Sequence, residues 1–192
     1  MAKTVTAAEM KERERAANEA GLLYIQMMEN AGRAAYAELK RRVPALRRLL
    51  IVAGKGNNGG DGFVMARVAA KEGVQVRVLL AEGEPKTADA KTNLARLAET
   101  AAEVVRDTEQ AAFGADAVVD ALYGTGFHGE LRPGGAAACA LMGRERERGA
   151  FVLALDLPSG VSADSGEVAE GAVQADATVT FDCTKPLHFA KA

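Results

Sequence analysis

Six short apolar runs, separated by segments long enough to be helices, occupy the chain from residue 49 onward. Residues 49–53, 74–81, 102–106, 117–122, 151–156 and 177–181 read as strands, each brief, apolar and bounded by turn residues. Between them, 61–72, 87–100, a short stretch ending at Gly114, and 135–148 read as helices. Gly73 can end the first of these and Thr87 can cap the second. Strands alternating with helices pair in parallel through right-handed crossovers. The expected fold is therefore a three-layer α/β sandwich, a mostly parallel sheet with helices on both faces. Two helices precede the first strand. Thr6 with Glu9 three residues on forms a capping box, opening a helix that runs to Ala20 before Gly21. A second helix spans 22–42, its apolar positions Tyr24, Met27, Met28, Ala31, Ala35 and Leu39 recurring every three or four residues. Met27 and Met28 read as core, with a ligand lining as the alternative. No repeat or low-complexity linker divides the chain, so residues 1–192 read as one domain.

Composition excludes several classes of function. The net charge of −2 gives no global field to draw the chain to nucleic acid or a membrane. Basic side chains outnumber acidic ones only before residue 49, and Lys40, Arg41, Arg42, Arg47 and Arg48 cluster there. That cluster reads as a solvated helix end, with an RNA or anion patch as the alternative. Cys139 and Cys183 lie far apart without metal or redox spacing, so both read as packed thiols. The longest apolar run, 136–142, is too short to span a bilayer, and Met1-Ala2-Lys3-Thr4 leads into charged residues rather than a secretory segment. A cytoplasmic protein is expected.

Parallel sheets hold ligands at the carboxyl ends of their strands, where three loops concentrate the chemistry. The first is Gly54-Lys55-Gly56-Asn57-Asn58-Gly59-Gly60-Asp61-Gly62, directly after the first strand. Its glycines can turn the backbone toward an anion, and the following helix adds a positive dipole end, so a phosphate or pyrophosphate is the expected guest. Residues 54–59 also satisfy G-x-G-x-x-G, with Glu82 near the end of the second strand where a ribose-binding acid could sit. Asn57, Asn58 and Asp61 add polar groups suited to sugar hydroxyls, a cation or a reacting ring, and Lys55 either senses a phosphate or is simply exposed. The second loop begins at Asp120 and runs through Tyr123, Gly124, Thr125, Gly126, Phe127, His128, Gly129 and Glu130 to Arg132. It suits a bound cation or a ligand clamp. His128, lacking a visible carboxylate partner, reads as a polar contact before an acid–base group, and Arg132 meets a phosphate or only solvent. The third loop opens with Asp156 after five apolar residues and continues to Ser159 and Asp164. An ionised carboxylate there must find partners, and acids ending two different strands point to a shared site. Lys185 supplies a cation whose pKa its surroundings could lower, or else an exposed terminal charge.

In order, Met28-Glu29-Asn30-Ala31-Gly32, Gly56-Asn57-Asn58-Gly59-Gly60-Asp61-Gly62, Asp120-Ala121-Leu122-Tyr123-Gly124-Thr125-Gly126, Asp156-Leu157-Pro158-Ser159-Gly160 and Lys185-Pro186 resemble the NAD(P)H-hydrate epimerase family, also called the YjeF N-terminal domain. The resemblance covers nearly the whole chain. It implies a Rossmann-like fold and interconversion of the R and S forms of hydrated NADH and NADPH at C6 of the nicotinamide ring. It also implies that Asn57, Asn58, Gly59, Gly60 and Asp61, with Gly124 to Glu130 and Asp156, contact the nucleotide. One potassium ion (K+) would be held by Asn58, Asp120 and Ser159. Asp156 is expected to be the acid–base group, with Lys185 tuning it. Leu187 and His188 depart from the glycine that usually follows Lys-Pro, and the chain stops at Ala192, where the family domain usually continues into another strand. A dehydratase acting on the same hydrates would be a separate partner enzyme, and a homodimer remains open. An NAD-dependent oxidoreductase using Gly54–Gly59 and Glu82, and a non-catalytic module binding nucleotide, RNA or protein, are the rival readings.

Overall fold

A computed structural model describes residues 4–189. Residues 1–3 and 190–192, which carry the expectations about the chain's start and its missing strand, lie outside the described residues. Two helices, α1 (Ala7–Glu19) and α2 (Tyr24–Arg42), precede the alternating part. There follow β1 (Arg48–Ala53), α3 (Asn57–Lys71), β2 (Gln75–Leu80), α4 (Ala88–Leu97), β3 (Glu103–Val105), α5 (Thr108–Ala111), β4 (Ala117–Ala121), α6 (Pro133–Glu147), β5 (Phe151–Leu155) and β6 (Ala177–Val179). The six strands form one sheet in the order β3-β2-β1-β4-β5-β6, and every neighbouring pair is parallel. An antiparallel bridge, Val161 to Val168, lies outside that sheet.

Strand side chains alternate between faces, and β1 shows both faces filled. Leu49, Ile51 and Ala53 pack with residues of α2, α3 and α4, including Leu39, Phe63 and Leu97. Leu50 and Val52 pack with Ala111, Ala138, Leu141 and Met142 from α5 and α6. Burial on both sides is why these strands read as unbroken apolar runs rather than as alternation. The α1 capping box is present, with Thr6 accepting from the Glu9 N–H and Glu9 accepting from the Thr6 N–H. A small cluster of Val5, Met10 and Cys183 fixes α1 beside the segment after β6.

Among the helix boundaries that differ from the sequence reading, three bear on the loops. Helix α3 starts at Asn57 rather than Asp61, so most of the glycine stretch is helix and not loop. Its glycines serve close packing: a Cβ on Gly59 would stand 2.1 Å from the Gly54 carbonyl oxygen, and one on Gly62 would stand 2.8 Å from the Ala121 Cβ. Helix α6 starts at Pro133, whose fixed φ and missing N–H suit the first helical position. Thr87 sits at the N-cap of α4 without making a side-chain cap, and α4 ends at Leu97 rather than Thr100.

The basic cluster near residue 42 is largely neutralised. Lys40 pairs with Glu72, Arg41 and Arg42 both pair with Glu38, and Arg48 lies 3.9 Å from Asp116. Cys139 and Cys183 are buried free thiols, as expected from their spacing. No helix among the described residues is long and apolar enough to cross a membrane.

Candidate active site

Strand order reverses between β1 and β4, and the loops leaving those two strands part there. They are held close at their roots. The Gly54 N–H donates to the Ala121 carbonyl at 3.0 Å, and a Cβ on Gly54 would lie 1.8 Å from the Leu122 carbonyl oxygen. Above this point opens a cavity of about 530 Å³ whose walls include Asn57, Asn58, Asp61, Gly124, Thr125, Gly126, Phe127, His128, Glu130, Asp156 and Lys185. Gly59 and Gly60 are buried beneath it, Gly60 against the Met28 side chain, and Gly129 faces a neighbouring hollow. Asp120 and Ser159 lie behind the wall, fully buried. Phe127 anchors the second loop by stacking on Tyr123, with ring centroids 5.1 Å apart.

Asp156 follows β5 with φ of 66°, a left-handed conformation that non-glycine residues seldom adopt and that Asp tolerates best. Its backbone is fixed on both sides, the N–H donating to the Val179 carbonyl at 2.7 Å and the carbonyl meeting His188 Nε2 at 3.2 Å. Because His188 Nδ1 accepts from the Lys185 N–H at 2.9 Å, Nε2 carries the proton and donates to Asp156. Burial lowers the His188 pKa, in keeping with this neutral tautomer. The Asp156 carboxylate accepts from the Lys185 ammonium and, at 3.1 Å, from the Thr180 hydroxyl. Lys185 is 1% exposed and therefore not a loose terminal charge. A buried ion pair of this kind costs desolvation, and removing one partner strands the other.

Two more carboxyls face the same space. Burial, followed by the negative charges of Asp156 and Glu14, pushes the Asp61 carboxyl well above the usual carboxylate range. Glu14, reaching over from α1, is raised by burial and by Asp156. The site thus sets a lysine-paired carboxylate beside an acid biased toward its protonated form. An acid raised by burial within reach of a positioned carboxylate is an arrangement suited to acid–base chemistry.

Behind the wall, Asp120 accepts from the Ser159 hydroxyl at 2.6 Å, from the Ser159 N–H at 2.7 Å and from the Leu122 N–H at 3.2 Å. Ser159 Oγ in turn accepts from the Tyr123 N–H at 3.0 Å, and Asn58 Nδ2 donates to the Tyr123 carbonyl at 2.9 Å. The three residues expected to share a cation therefore meet around the backbone of one residue, Tyr123. Burial pushes the Asp120 carboxyl up to about 6, a cost that a nearby cation would offset. Amide, carboxylate and hydroxyl oxygens are the donors a hard cation takes, so the set fits K+.

Sequence reasoning missed Glu14, Thr180 and Lys86, and it read Thr87 only as a helix cap, whereas Glu14, Lys86 and Thr87 line the cavity and Thr180 supports Asp156. Glu14 looks like any charge on an amphipathic helix, and only the fold brings α1 to the cavity. Glu82, flagged as a ribose-binding acid, does line the cavity, and it also accepts from the Tyr123 hydroxyl at 2.8 Å.

Fold and site together define a doubly wound α/β protein with a carboxylate-equipped ligand cleft where the strand order reverses. The chain belongs to the family described as YjeF-related protein N-terminus, whose model matches residues 24–187. It is 42% identical over 179 residues to the NAD(P)H-hydrate epimerase of Pirellula staleyi, covering 86% of this chain and 75% of that protein. It is 39% identical over 178 residues to the bifunctional NAD(P)H-hydrate repair enzyme Nnr of Coxiella burnetii, covering 92% of this chain but only 36% of that larger protein. The crystal structure of yeast ynu0 (YNL200c) shares the fold, with a TM-score of 0.86 and 22% identity over 97% of this chain and 83% of that one.

Proposed function

We propose that this chain, acting as one domain, interconverts the R and S forms of hydrated NADH and NADPH at C6 of the nicotinamide ring. The observation that carries the reading is the Asp156 carboxylate, held in a left-handed turn on the cavity wall by Lys185, Thr180 and His188. The names of the Pirellula and Coxiella relatives give the substrate class.

C6 of the hydrate bears both the added hydroxyl and the ring nitrogen, so it can invert by losing and regaining hydroxide or by ring opening and reclosure, and two facing carboxyls suit the second route. Asp156 takes the hydroxyl proton as the carbonyl forms at C6. The C6–N1 bonding pair goes to nitrogen, which receives a proton from Asp61. Rotation of the freed carbonyl and the reverse transfers close the ring on its other face. Each proton moves to or from a positioned carboxyl, the ordinary form of general acid–base catalysis. Lys185 holds the Asp156 carboxylate in place between turnovers. Asn57, Asn58 and the 124–130 loop hold the nucleotide, with the N-terminus of α3 facing its pyrophosphate.

Asn58, Asp120 and Ser159 would hold K+, which when bound supplies charge compensation and a fixed loop geometry. These residues otherwise tie the α3 start, the Tyr123 backbone and the third loop into one hydrogen-bonded wall. Orientation of this kind removes much of the entropic barrier. A separate dehydratase would consume one epimer, and the setting we assign is the cytoplasm.

Asp156→Asn tests the assignment. Equilibration of the two epimers should fall at least 100-fold while nucleotide affinity changes little, as expected for loss of one acid–base group. A variant retaining full activity removes Asp156 from the mechanism.

A further inference from the structure

The cavity runs along the carboxyl edge of the sheet from Asp156, after β5, to Glu82 and Lys86, after β2. β2 and β5 are three strand positions apart, about 14 Å at the usual interstrand spacing. With the reacting ring at Asp156, the pyrophosphate midway along a dinucleotide lies over β1 and β4, and the adenosine ribose reaches the β2 end.

The β2 end has an unusual charge balance. Lys55, Lys86 and Arg132 all line the cavity there, and none makes an ion pair or a side-chain hydrogen bond among the described residues. Most other cations among the described residues are paired. The three converge from separate elements. The Lys86 N–H donates to the Lys55 carbonyl at 2.8 Å, and the Lys55 side chain reaches to within 4.0 Å of where a Cβ on Gly83 would stand. Arg132 caps α6, whose next glycine, Gly134, abuts the Ala81 carbonyl and the Glu82 side chain. Glu82 itself is engaged by the Tyr123 hydroxyl. Glu130, further along the second loop, pairs with none of the three.

A second observation points to the same place. The Thr87 hydroxyl oxygen is buried with no hydrogen-bond partner, although Thr87 occupies the N-cap of α4 and lines the cavity. A buried hydroxyl without a partner costs free energy, and an oxygen-rich guest would relieve that cost. Three cations against one engaged carboxylate leave a surplus that matches a phosphate monoester, which carries about −1.5 to −2 charges at neutral pH. A ribose 2′-hydroxyl needs no such surplus.

We propose that Lys55, Lys86, Thr87 and Arg132 bind the 2′-phosphate of the adenosine ribose, so that this chain favours hydrated NADPH over hydrated NADH. The proposal rests on the functional reading above and adds its specificity. Calorimetric titration of the full chain with adenosine 2′,5′-bisphosphate and with adenosine 5′-monophosphate isolates the added group. The bisphosphate should bind at least about tenfold more tightly, the worth of one or two charge-assisted hydrogen bonds. In K86A/R132A, both exposed positions, that ratio should fall about tenfold, and added salt should weaken only the bisphosphate advantage. Equal affinities in the wild type, or an unchanged ratio in the variant, overturn the proposal. So does equal weakening of both nucleotides, which would make the patch a pyrophosphate site. Epimerisation of both hydrates with equal kcat/KM leaves the enzymatic reading standing and removes this one. Tight bisphosphate binding without epimerisation of either hydrate does the reverse.

Discussion

Replacing Gly59 by alanine should damage the fold, although it puts a better helix former inside a helix. Gly59 has no positive φ, so its backbone conformation is open to any residue. What excludes a side chain is the Gly54 carbonyl oxygen, 2.1 Å from the site of the added Cβ, where an ordinary contact needs at least 3.4 Å. One of the two must therefore move by more than 1 Å, and Gly54 is itself pinned by the Ala121 carbonyl and pressed against Leu122. Overpacking of this kind costs up to about 3 kcal/mol, and the helix propensity of alanine returns about 1 kcal/mol. The net loss, about 2 kcal/mol, lowers Tm by roughly 4–8 °C in a chain of this size. Gly60→Ala should cost less, because the added Cβ meets the flexible end of Met28 at 2.5 Å. Gly56→Ala should change Tm by roughly 1 °C, since nothing lies within 4 Å of that Cβ. Scanning calorimetry of the three variants decides the matter. If Gly59→Ala melts at or above the wild-type temperature, the glycines are not there for packing.

Ser159→Ala removes the hydroxyl that both supports Asp120 and receives the Tyr123 N–H, leaving two buried groups short of a partner. It should cost about 2–4 kcal/mol of stability by urea titration, and the gain in Tm on replacing lithium with potassium should disappear with it. Asp61→Asn should stabilise the fold in a pH-dependent way. The Asp61 pKa is raised on folding above its ordinary 3.8, so its favourable contribution is complete below that value and is lost as pH rises through the folded pKa. Asparagine does not titrate, so the Tm advantage of the variant should be smallest near pH 4 and grow toward pH 8. A flat or declining advantage would contradict the raised pKa.

The strands were legible because burial on both faces makes them short apolar runs, and the ends of all six agree with the reading to within about two residues. Which strand neighbours which was not, since periodicity carries no information about lateral order. The glycine stretch misled for a physical reason. Glycine signals a loop when it supplies positive φ, but Gly59, Gly60 and Gly62 supply missing volume inside a helix. The Met28-Glu29-Asn30-Ala31-Gly32 segment has a similar explanation. Met28 covers Gly60, Glu29 pairs with Arg33 and Arg67, and a Cβ on Gly32 would meet the Val64 side chain at 2.6 Å. At the site, Asp120 and Asp156 stood out because a carboxylate ending an apolar strand is costly without partners. Glu14, Thr180 and Lys86 carried no such mark, as each is an ordinary residue made notable by neighbours distant in sequence.

The most direct test starts from one purified epimer of hydrated NADPH, incubated with the chain in potassium buffer and resolved by chiral chromatography. Both epimers should reach the same final ratio whichever is supplied, and far faster than in buffer alone. An epimer recovered unchanged, at protein concentrations that saturate with nucleotide, would mean that the cleft binds without catalysing.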